Sequence, residues 1–385
     1  MNKVKIIRVS TVPQSLNGLL KGQLKFLNQY FNVIAVSGYN EKLEEVQQRE
    51  GVRIVDIPMS RKISLLQDLK SLLSLYFYFK KEKPTIVHSI TPKAGLLTML
   101  AGKLAGVPIR MHTFTGLIFP TKTGKMQQLL IRMDQLLCWA ATNIYPEGNG
   151  VKQDLIDYKI TSKPLKVLAN GNVNGIDLAY FSKDEITEKK QAQLKKELQI
   201  STEDFIFIFV GRLVGDKGIN ELIEAFSKLK NIKSKLLLVG PLEMELDPLN
   251  SETLKEIESN KNIITVGFQK DVRPYFAISD VLVFPSYREG FPNVVMQAGA
   301  MELPSIVTNI NGCNEIIIEG ENGTIIPVKN TEAILEAMQR LVNNTAYYNQ
   351  LKENTRLMIQ SRYEQQVVWN AILEEYNHLL NNSKI

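Results

Sequence analysis

Short apolar runs alternate with helical patterns along this chain, and the alternation occurs in two successive series. The runs are β-branched and continuously apolar, which is typical of strands buried on both faces of a parallel sheet. The first series predicts helices near 19–30, 41–50 and 124–140, with strands at 5–12, 32–37, 52–57, 85–90, 109–114, 142–145 and 165–169. The second series predicts strands at 205–210, 235–239, 262–266, 281–285, 305–308 and 323–327. The chain is therefore expected to form two α/β units in tandem.

A turn-rich segment, Asn-Gly-Asn-Val-Asn-Gly at 170–175, separates the two series. We predict a Rossmann-like βαβ domain at 1–170 and a second one at 171–362, joined by a hinge. A last helix, at about 363–385, is expected to pack back on the first domain. Ligands of such sheets bind beyond the carboxyl ends of the strands. The two domains are therefore expected to face each other across a cleft.

Basic and acidic residues are unevenly distributed between the two halves of the chain, and this limits the classes of ligand or partner to be expected. The net charge is +6, yet residues 1–170 hold 24 Lys and Arg against 11 Asp and Glu, whereas residues 171–385 hold 22 against 29. A basic half predicts contact with nucleic acid, a membrane surface or a phosphorylated substrate, although solubility and chance would also produce it. Two cysteines, three histidines and no Cys-x-x-Cys motif exclude a disulfide framework and argue against structural zinc. The sequence predicts neither a signal peptide nor a membrane-spanning helix.

The strongest local signal follows the predicted strand at 205–210 and begins a helix. The segment 209–219 has the sequence Phe-Val-Gly-Arg-Leu-Val-Gly-Asp-Lys-Gly-Ile. Gly211, Gly215 and Gly218 leave the backbone free to turn, while Arg212 and Lys217 place two cations near a helix N-terminus. This arrangement favours a diphosphate pocket. An ordinary charged surface loop is the alternative.

A second signal, Pro-Ser-Tyr-Arg-Glu-Gly-Phe-Pro-Asn at 285–293, joins a predicted strand to a helix. Gly290 and Pro292 suit a helix start, where free amides can hold a phosphate or an oxyanion. Glu289 could hydrogen-bond sugar hydroxyls there, and Gln297, eight residues later, lies only approximately on the same side. The alternative for Glu289 is an N-terminal capping acid.

Together these segments resemble those of the bacterial family-four retaining glycosyltransferases, which have the GT-B fold. The resemblance covers nearly the whole chain. Its motifs are the G-R-x-x-x-x-K-G and E-G-F-P segments, with Val-Asn-Gly-Ile-Asp at 173–177 and Phe181. The stretches 286–292 and 311–315 are most similar to those of enzymes that build capsular polysaccharide or glycan on polyprenyl diphosphate. One such relative is the N-acetylgalactosaminyltransferase of bacterial N-glycosylation.

The resemblance implies a metal-independent enzyme that moves a hexose or N-acetylhexosamine from a UDP-sugar to a polyprenyl-diphosphate-linked saccharide. The domain at 1–170 would bind the acceptor, and the domain at 171–362 would bind the nucleotide sugar. Arg212 and Lys217 would bind the donor diphosphate and stabilise the leaving nucleotide. Glu289 would hold sugar hydroxyls, and Gln297 would meet the ribose. The remaining nucleotide-sugar contacts would come from Gly18, in the loop after the first strand, and from Gly211, Gly290, Phe291, Pro292 and Asn293.

The sequence departs from the family pattern at two positions. The family usually has glutamate where this chain has Gln297, so a charge-assisted hydrogen bond is lost and weaker or altered nucleotide binding is expected. Many relatives carry histidine at the place of Thr115, before Gly116, whereas His112 lies three residues earlier. His112 is therefore a candidate for a catalytic-site contact, with a structural, hydrogen-bonded histidine as the alternative.

The chain contains no Asp-x-Asp motif, which argues against a metal-bridged donor site. We therefore expect no metal. We also expect no cofactor, because the nucleotide sugar is consumed as a substrate. The acidic run Glu243, Glu245 and Asp247 is interpreted as a solvated loop. In the family, the favoured route has the acceptor attack the face that the nucleotide leaves. The resemblance therefore implies no protein nucleophile, and the diphosphate itself could take the acceptor's proton.

Aromatic residues beside lysines within 60–83, and Leu-Ile-Phe-Pro at 117–120 followed by Lys122 and Lys125, suit a bilayer interface. A packed core helix and a surface loop are the alternative. With the basic first half, these features predict a cytoplasmic protein bound peripherally to the anionic inner face of the membrane. Each basic residue contributes only about 1 kcal/mol, so this binding would be salt-sensitive.

Three other functions remain open on the sequence alone. A nucleotide-sugar epimerase of the same fold would consume donor without an acceptor and would need no basic membrane face. A non-catalytic nucleotide-sugar-binding scaffold, conceivable because of Gln297, would bind UDP but release none from a UDP-sugar. Nucleic-acid binding is suggested only by the overall basic charge, and the acidic second half argues against such a partner.

Overall fold

The structure is a computed structural model that describes residues 3–60, 64–230, 233–245 and 247–383. The chain forms two compact units, one of Met1–Gly175 with Gln365–Ile385 and the other of Ile176–Glu364. Residues 61–63, within the segment compared above with a bilayer interface, lie outside the described part of the chain. The same holds for residues 384 and 385 at the end of the predicted last helix.

The first unit is built on a parallel sheet. Its strands are β1 (Lys5–Val9), β2 (Asn32–Ser37), β3 (Arg53–Asp56), β4 (Ile86–Ser89), β5 (Ile109–Phe114) and β6 (Asn143–Pro146). Over the described residues they are hydrogen-bonded in the order β3-β2-β1-β4-β5-β6. The connecting helices are α1 (Pro13–Leu19), α2 (Gln23–Asn28), α3 (Glu41–Glu50), α4 (Leu65–Glu82), α5 (Pro92–Ala105), α6 (Gly124–Ala140) and α7 (Asn149–Asp157).

The second unit repeats this plan. Its strands are β7 (Phe205–Val210), β8 (Ser234–Val239), β9 (Ile263–Thr265), β10 (Val281–Phe284), β11 (Ser305–Thr308) and β12 (Gly323–Ile326). They form a parallel sheet in the order β12-β11-β10-β7-β8-β9. The helices are α8 (Glu188–Glu197), α9 (Ile219–Lys228), α10 (Ser251–Ser259), α11 (Arg273–Ala277), α12 (Asn293–Ala300), α13 (Cys313–Ile316), α14 (Thr331–Asn343) and α15 (Thr345–Tyr363).

Burial explains why both sheets form where the apolar runs lie. In β7, Ile206, Phe207, Ile208 and Phe209 are all fully buried, although successive side chains point to opposite faces. A strand with both faces covered by helices has no solvent-facing positions, so its sequence is continuously apolar. The predicted fold class, two Rossmann-like α/β units with parallel sheets, is therefore confirmed.

Two of the predicted elements are wrong. Residues 165–169 do not form a strand, because only an isolated bridge joins Leu165 to Ile144 of β6. The helix predicted at 19–30 is two helices, α1 and α2. Gly22 lies between them with a φ of +82°, a left-handed conformation that interrupts helical hydrogen bonding. The apolar side chains of both helices are buried or partly buried, so the periodicity alone did not reveal the break.

The final helix, α16 (Gln365–Asn382), belongs to the first unit, although α15 precedes it directly in the second. Its Trp369 indole donates to Asn174 Oδ1 at 2.8 Å. Farther along, the Tyr376 hydroxyl accepts from Arg8 Nη1 at 2.9 Å and lies 2.7 Å from His88 Nδ1. These contacts tie the end of the chain to β1 and β4.

Candidate functional site

The loop after β7 and the loop after β10 touch at one glycine. A short 3₁₀ turn, Gly215–Lys217, leads into α9, and Gly218 follows with a φ of +70°. A Cβ atom at Gly218 would lie 2.2 Å from the carbonyl oxygen of Pro285, which follows β10. Only glycine permits both this backbone conformation and this approach. The two segments singled out in the sequence therefore lie side by side at the carboxyl edge of the second sheet.

An ion pair joins the two loops. The Lys217 ammonium group contacts the Glu289 carboxylate, 72 positions later in the chain, and the Ser286 hydroxyl donates to the same oxygen, Glu289 Oε1, at 2.9 Å. The side chains of Lys217 and Glu289 are 17% and 19% exposed. Partial burial strengthens the attraction relative to a surface pair. The predicted cation and carboxylate therefore occupy one semi-enclosed site.

Arg212 lies nearer the surface. Its side chain is 50% exposed, and Nη1 lies 2.6 Å from Glu243 Oε2. A second residue of the acidic run, Asp247, accepts a hydrogen bond from the backbone amide of Asp216 at 2.5 Å. Asp247 is exposed, as expected for a solvated loop, but the run also holds the loop that carries Arg212 and Lys217. The sequence analysis did not identify these contacts.

Two further polar contacts around the loops were also missed. Asp216 accepts from Arg288 Nη2 at 3.1 Å, and the Tyr287 hydroxyl donates to Glu221 Oε1 at 2.5 Å. Burial and the neighbouring Glu221 carboxylate both raise the pKa of Tyr287 above its ordinary value. Arg288 and Tyr287 lie within the segment 285–293, so their position in the sequence could have identified them as candidate site residues. Nothing near Glu221 in the sequence indicates this partner.

Helix α12 begins directly after the E-G-F-P segment. Pro292 is its N-cap residue and supplies no side-chain cap. Phe291 and Pro292 are buried, whereas Asn293 is exposed and Gln297 is partly exposed one turn later on the same side. Gly290 and Phe291 pack on the backbone of Gly312. The structure thus brings the loop with Gly211, Arg212 and Lys217 and the segment 289–297 to the same carboxyl edge of the second sheet.

Gly18 and His112 belong to the first unit. Gly18 lies within α1, so the expectation that it occupies a loop is wrong. A Cβ atom there would meet no atom within 4 Å, so the fold itself does not require glycine at this position. Its neighbour Asn17 is bound by the Arg49 guanidinium and donates to Glu45 at 3.1 Å.

His112 lies on β5 and is 1% exposed. Its Nδ1 atom is 2.9 Å from the Ser89 hydroxyl, and its ring packs edge-on against Phe114 with centroids 4.5 Å apart. Burial lowers the pKa of His112 to about 3, although a hydrogen bond with the Ser89 backbone opposes this shift. The imidazole is therefore neutral at physiological pH. These contacts favour the structural alternative that the sequence left open.

No group of three or more His, Cys, Asp or Glu residues within the described ranges is arranged to hold a metal ion. Among the same residues, no helix combines the length and the apolar character that crossing a membrane requires.

Comparison with known proteins identifies both halves of the chain. Residues 190–358 match the family described as glycosyl transferases group 1, and residues 16–147 match the family described as glycosyl transferase 4-like. A relative from Staphylococcus aureus, the capsular polysaccharide biosynthesis glycosyltransferase CapM, is 33% identical over 390 residues and covers all of both chains.

Two further proteins resemble this chain along most of its length. One is the Escherichia coli UDP-Gal:α-D-GlcNAc-diphosphoundecaprenol α-1,3-galactosyltransferase, which is 28% identical over 92% of each chain. The other is a solved structure, a glycosyltransferase from Rickettsia africae, which covers all of both chains with a TM-score of 0.84 and 21% identity. This structural match identifies the fold as GT-B.

Proposed function

The chain belongs to the group 1 glycosyltransferases, and on that premise we propose that it transfers a sugar from a UDP-sugar to a polyprenyl-diphosphate-linked saccharide, with retention of configuration and without a metal. The observation that carries this proposal is the contact between Lys217 and Glu289 beside Arg212 at the carboxyl edge of the second sheet. A cation pair suits a diphosphate, and a neighbouring carboxylate suits sugar hydroxyls.

The two cations stabilise the departing UDP. Each of them contacts a carboxylate, Glu243 for Arg212 and Glu289 for Lys217. A bound diphosphate, with its higher charge, competes for both cations and releases Glu289 to accept hydrogen bonds from the donor sugar. The charge that develops on the leaving diphosphate then lies between preorganised cations, which lowers the barrier.

The start of α12 completes the donor site. Backbone amides between Gly290 and Asn293 contact the sugar and phosphate, because the first amides of a helix have no partners within it. Gln297 meets the nucleotide ribose, while Gly211 contacts the diphosphate region. The acceptor hydroxyl attacks the face that UDP leaves, so a diphosphate oxygen takes its proton and no protein nucleophile is needed.

The acceptor is proposed to be a lipid-linked saccharide of capsular or other surface polysaccharide assembly. The name of the Escherichia coli relative specifies a diphosphoundecaprenol acceptor, and that of the Staphylococcus aureus relative specifies capsular polysaccharide. The described part of α4 displays exposed Leu66, Leu69, Leu73 and Phe77, here called the α4 stripe. Exposed Lys70 and the lysines at 80–81 flank it. This stripe suits peripheral binding to the anionic inner face of the cytoplasmic membrane.

The segment 117–120 contributes less to this surface than its sequence suggests. Ile118 and Pro120 are exposed, but Phe119 is fully buried and packs edge-on against Tyr158, with ring centroids 4.8 Å apart. The α4 stripe is therefore the larger part of the proposed membrane-binding surface.

Thermal unfolding with UDP, GDP and ADP tests the donor site. Saturation at 100 times the dissociation constant stabilises the liganded unit by about 2.7 kcal/mol, so UDP is expected to raise Tm by several degrees and the other nucleotides less. Arg212→Ala and Lys217→Ala should abolish the shift and lower turnover about tenfold or more. Lys261→Ala, at an exposed position of the second unit outside both donor loops, is the matched control and should retain both. Wild-type shifts and turnover in the two site variants would refute the diphosphate assignment.

Product analysis tests the reaction. A UDP-sugar panel is incubated with a polyprenyl-diphosphate-linked saccharide, and NMR coupling constants report the anomeric configuration of the new linkage. Retention and full activity in EDTA are expected. Inversion, or loss of activity that Mg²⁺ restores, would contradict the mechanism. Donor consumption without an acceptor product would instead indicate the epimerase alternative.

A further inference from the structure

A cavity of about 300 Å³ opens within the first unit, apart from every residue assigned above to the donor. It lies at the carboxyl ends of β1, β4 and β5, where Thr11, Thr91 and Gly116 follow the three strands. Helix α6 forms one wall through Leu130 and Met133. This edge of a parallel sheet is where such folds bind their ligands.

The lining of the cavity is mainly apolar. Leu96 from α5, Leu117 and Ile118 from the loop after β5, and Leu130 and Met133 from α6 supply aliphatic surface. A cavity of several hundred Å³ with such a lining and a few polar groups is typical of small-molecule sites. Its volume is about twice that of the ~150 Å³ apolar cavity that binds benzene, a six-carbon ligand. The space therefore suits about ten carbon atoms.

The polar groups at one end of the cavity already bind one another. The hydroxyl oxygens of Thr11 and Thr91 are 2.8 Å apart, and the amide of Ala94 donates to Thr11 at 3.1 Å. Lys93 forms an ion pair with Asp68 at 2.7 Å. Because these partners are satisfied internally, a polar ligand would have to displace them. An apolar chain can fill the cavity without doing so.

The wall of the cavity also contains one carboxyl group, and its protonation is compatible with an apolar ligand. Asp134 of α6 lines the cavity and forms no salt bridge with any described residue. Burial raises the pKa of Asp134 to about 7. A large fraction of this side chain is therefore uncharged near neutral pH, which suits contact with an apolar ligand.

The cavity adjoins exposed apolar surface. Ile118, which lines it, is itself 46% exposed. The ion pair between Asp68 of α4 and Lys93 of α5 fixes the start of the α4 stripe, Leu66 and Leu69, beside the polar end of the cavity. A chain that leaves the cavity can therefore continue over surface that the proposed function places against the membrane.

We propose that this cavity binds the isoprenoid segment of the acceptor nearest its diphosphate, about two isoprene units long. The inference rests on the proposed function, because that function supplies a polyprenyl acceptor. It assigns part of acceptor recognition to the lipid itself, so the enzyme distinguishes acceptors by their chain as well as by their saccharide.

Calorimetric binding of geranyl diphosphate to the full chain tests this assignment directly. Geranyl diphosphate carries ten carbons, whereas inorganic diphosphate carries the same headgroup alone and is expected to bind at least about tenfold more weakly. Leu130→Trp, which fills the cavity, should weaken geranyl diphosphate binding by about tenfold or more. Gln128→Trp is the matched control, since this residue is exposed on the same helix and does not line the cavity. It should bind as wild type does.

A second variant guards against misfolding of the first. Ile118→Glu puts a charge into the exposed part of the wall and is expected to produce the same loss, while the UDP-induced rise in Tm is retained in both variants. Equal binding of geranyl diphosphate and inorganic diphosphate, or unchanged geranyl diphosphate binding in both variants, would overturn the proposal.

Kinetics separate this proposal from the function on which it rests. With a geranyl-diphosphate-linked saccharide, Leu130→Trp should raise KM about tenfold with little change in kcat, because the lost contact is equal in ground and transition states. With a saccharide phosphate that lacks the chain, the variant should equal wild type. An equal defect with both acceptors would refute the lipid assignment. Absence of transfer by wild type to any acceptor would refute the proposed function instead, and geranyl diphosphate binding would still report on the cavity.

Discussion

At the scale of single residues, the proposed donor site is a set of competing charges. Lys217 contacts Glu289 inside the site, whereas Arg212 contacts Glu243 near the surface. The first contact joins two residues that the sequence analysis assigned to one ligand. The second joins an assigned cation to a carboxylate interpreted as part of a solvated loop. On the proposed assignment, Glu243 is expected to oppose diphosphate binding, since it must give up its partner when the ligand arrives.

Glu243→Gln is expected to strengthen UDP binding. Exposed ion pairs contribute up to about 1 kcal/mol, so releasing Arg212 should lower the Kd for UDP by about two- to fivefold. Titration calorimetry at low salt measures the change. Glu245→Gln, in the same acidic run, is the control and should leave the Kd unchanged. Weaker UDP binding in Glu243→Gln would mean that this carboxylate holds Arg212 in its binding position.

Asp134 makes the stability of the first unit depend on pH. The folded state raises the pKa of Asp134 from 3.8 to about 7, so it holds a proton that the unfolded chain releases. The contribution of this residue to stability therefore falls as pH rises from about 4 through about 7. Asp134→Asn removes that loss and should stabilise the unit by on the order of 4 kcal/mol at pH 8, with little effect at pH 4.

Tryptophan fluorescence during urea unfolding can measure this change. The chain has two tryptophans, at 139 and 369, and both lie in the first unit. Comparing midpoints at pH 4 and pH 8 isolates the titration of residue 134. An equal shift of the midpoint at both pH values would show that substitution, rather than charge, caused it.

At the scale of elements, both apolar periodicity and turn chemistry were informative, but to different extents. Helices at 41–50 and 124–140 have the predicted bounds, because their amphipathic pattern is uninterrupted. The break between α1 and α2 was missed, since a single left-handed residue leaves no trace in the apolar pattern. The loops after β7 and β10 were recognised by their glycines and prolines. Their mutual contact at Gly218 was not predicted.

Gly218→Ala is expected to disturb both donor loops. The new methyl group would meet the Pro285 carbonyl oxygen at 2.2 Å in a backbone conformation that already disfavours alanine. Gly267→Ala is a matched control, because Gly267 has a φ of +65° but no atom within 4 Å of a Cβ. Both substitutions should lower the stability of the fold by about 1 kcal/mol, because alanine disfavours a positive φ. Only Gly218→Ala should also lower the affinity for UDP by about tenfold or more.

UDP titration and Tm measurements of the two variants distinguish the effect of backbone strain from the effect of the contact with Pro285. Equal losses of UDP affinity in Gly218→Ala and Gly267→Ala would show that the approach of the β10 loop is unimportant for the donor site.

At the scale of the whole molecule, the chain crosses between its two units twice, near residues 175 and 364. The second crossing returns α16 to the first unit, where Tyr376 becomes fully buried between Arg8 and His88. Burial lowers the pKa of His88 well below its usual value, and the positive charge of Arg8 adds to this effect. The last helix therefore completes the polar interior of the unit in which the chain began.

Tyr376→Phe tests how much the first unit depends on this helix. The change leaves two buried partners, Arg8 Nη1 and His88 Nδ1, without the hydroxyl that they share, so a loss of about 1–3 kcal/mol is expected. Urea unfolding followed by tryptophan fluorescence reports on this unit. Tyr363→Phe removes a buried hydroxyl from the second unit and should not move the signal. An unchanged midpoint in Tyr376→Phe would show that water replaces the hydroxyl.

The sequence alone determined the two parallel α/β sheets and the loops that carry Arg212, Lys217 and Glu289. Strands buried on both faces and helix starts after glycine-rich turns are local patterns, and local patterns can be recognised without knowing the fold. Only the tertiary structure decided which distant groups meet. The partners of Arg212 and Arg8 lie 31 and 368 positions away, and the cavity beside Asp134 is lined from three strand ends and three helices. Such contacts depend on packing, which no local pattern encodes.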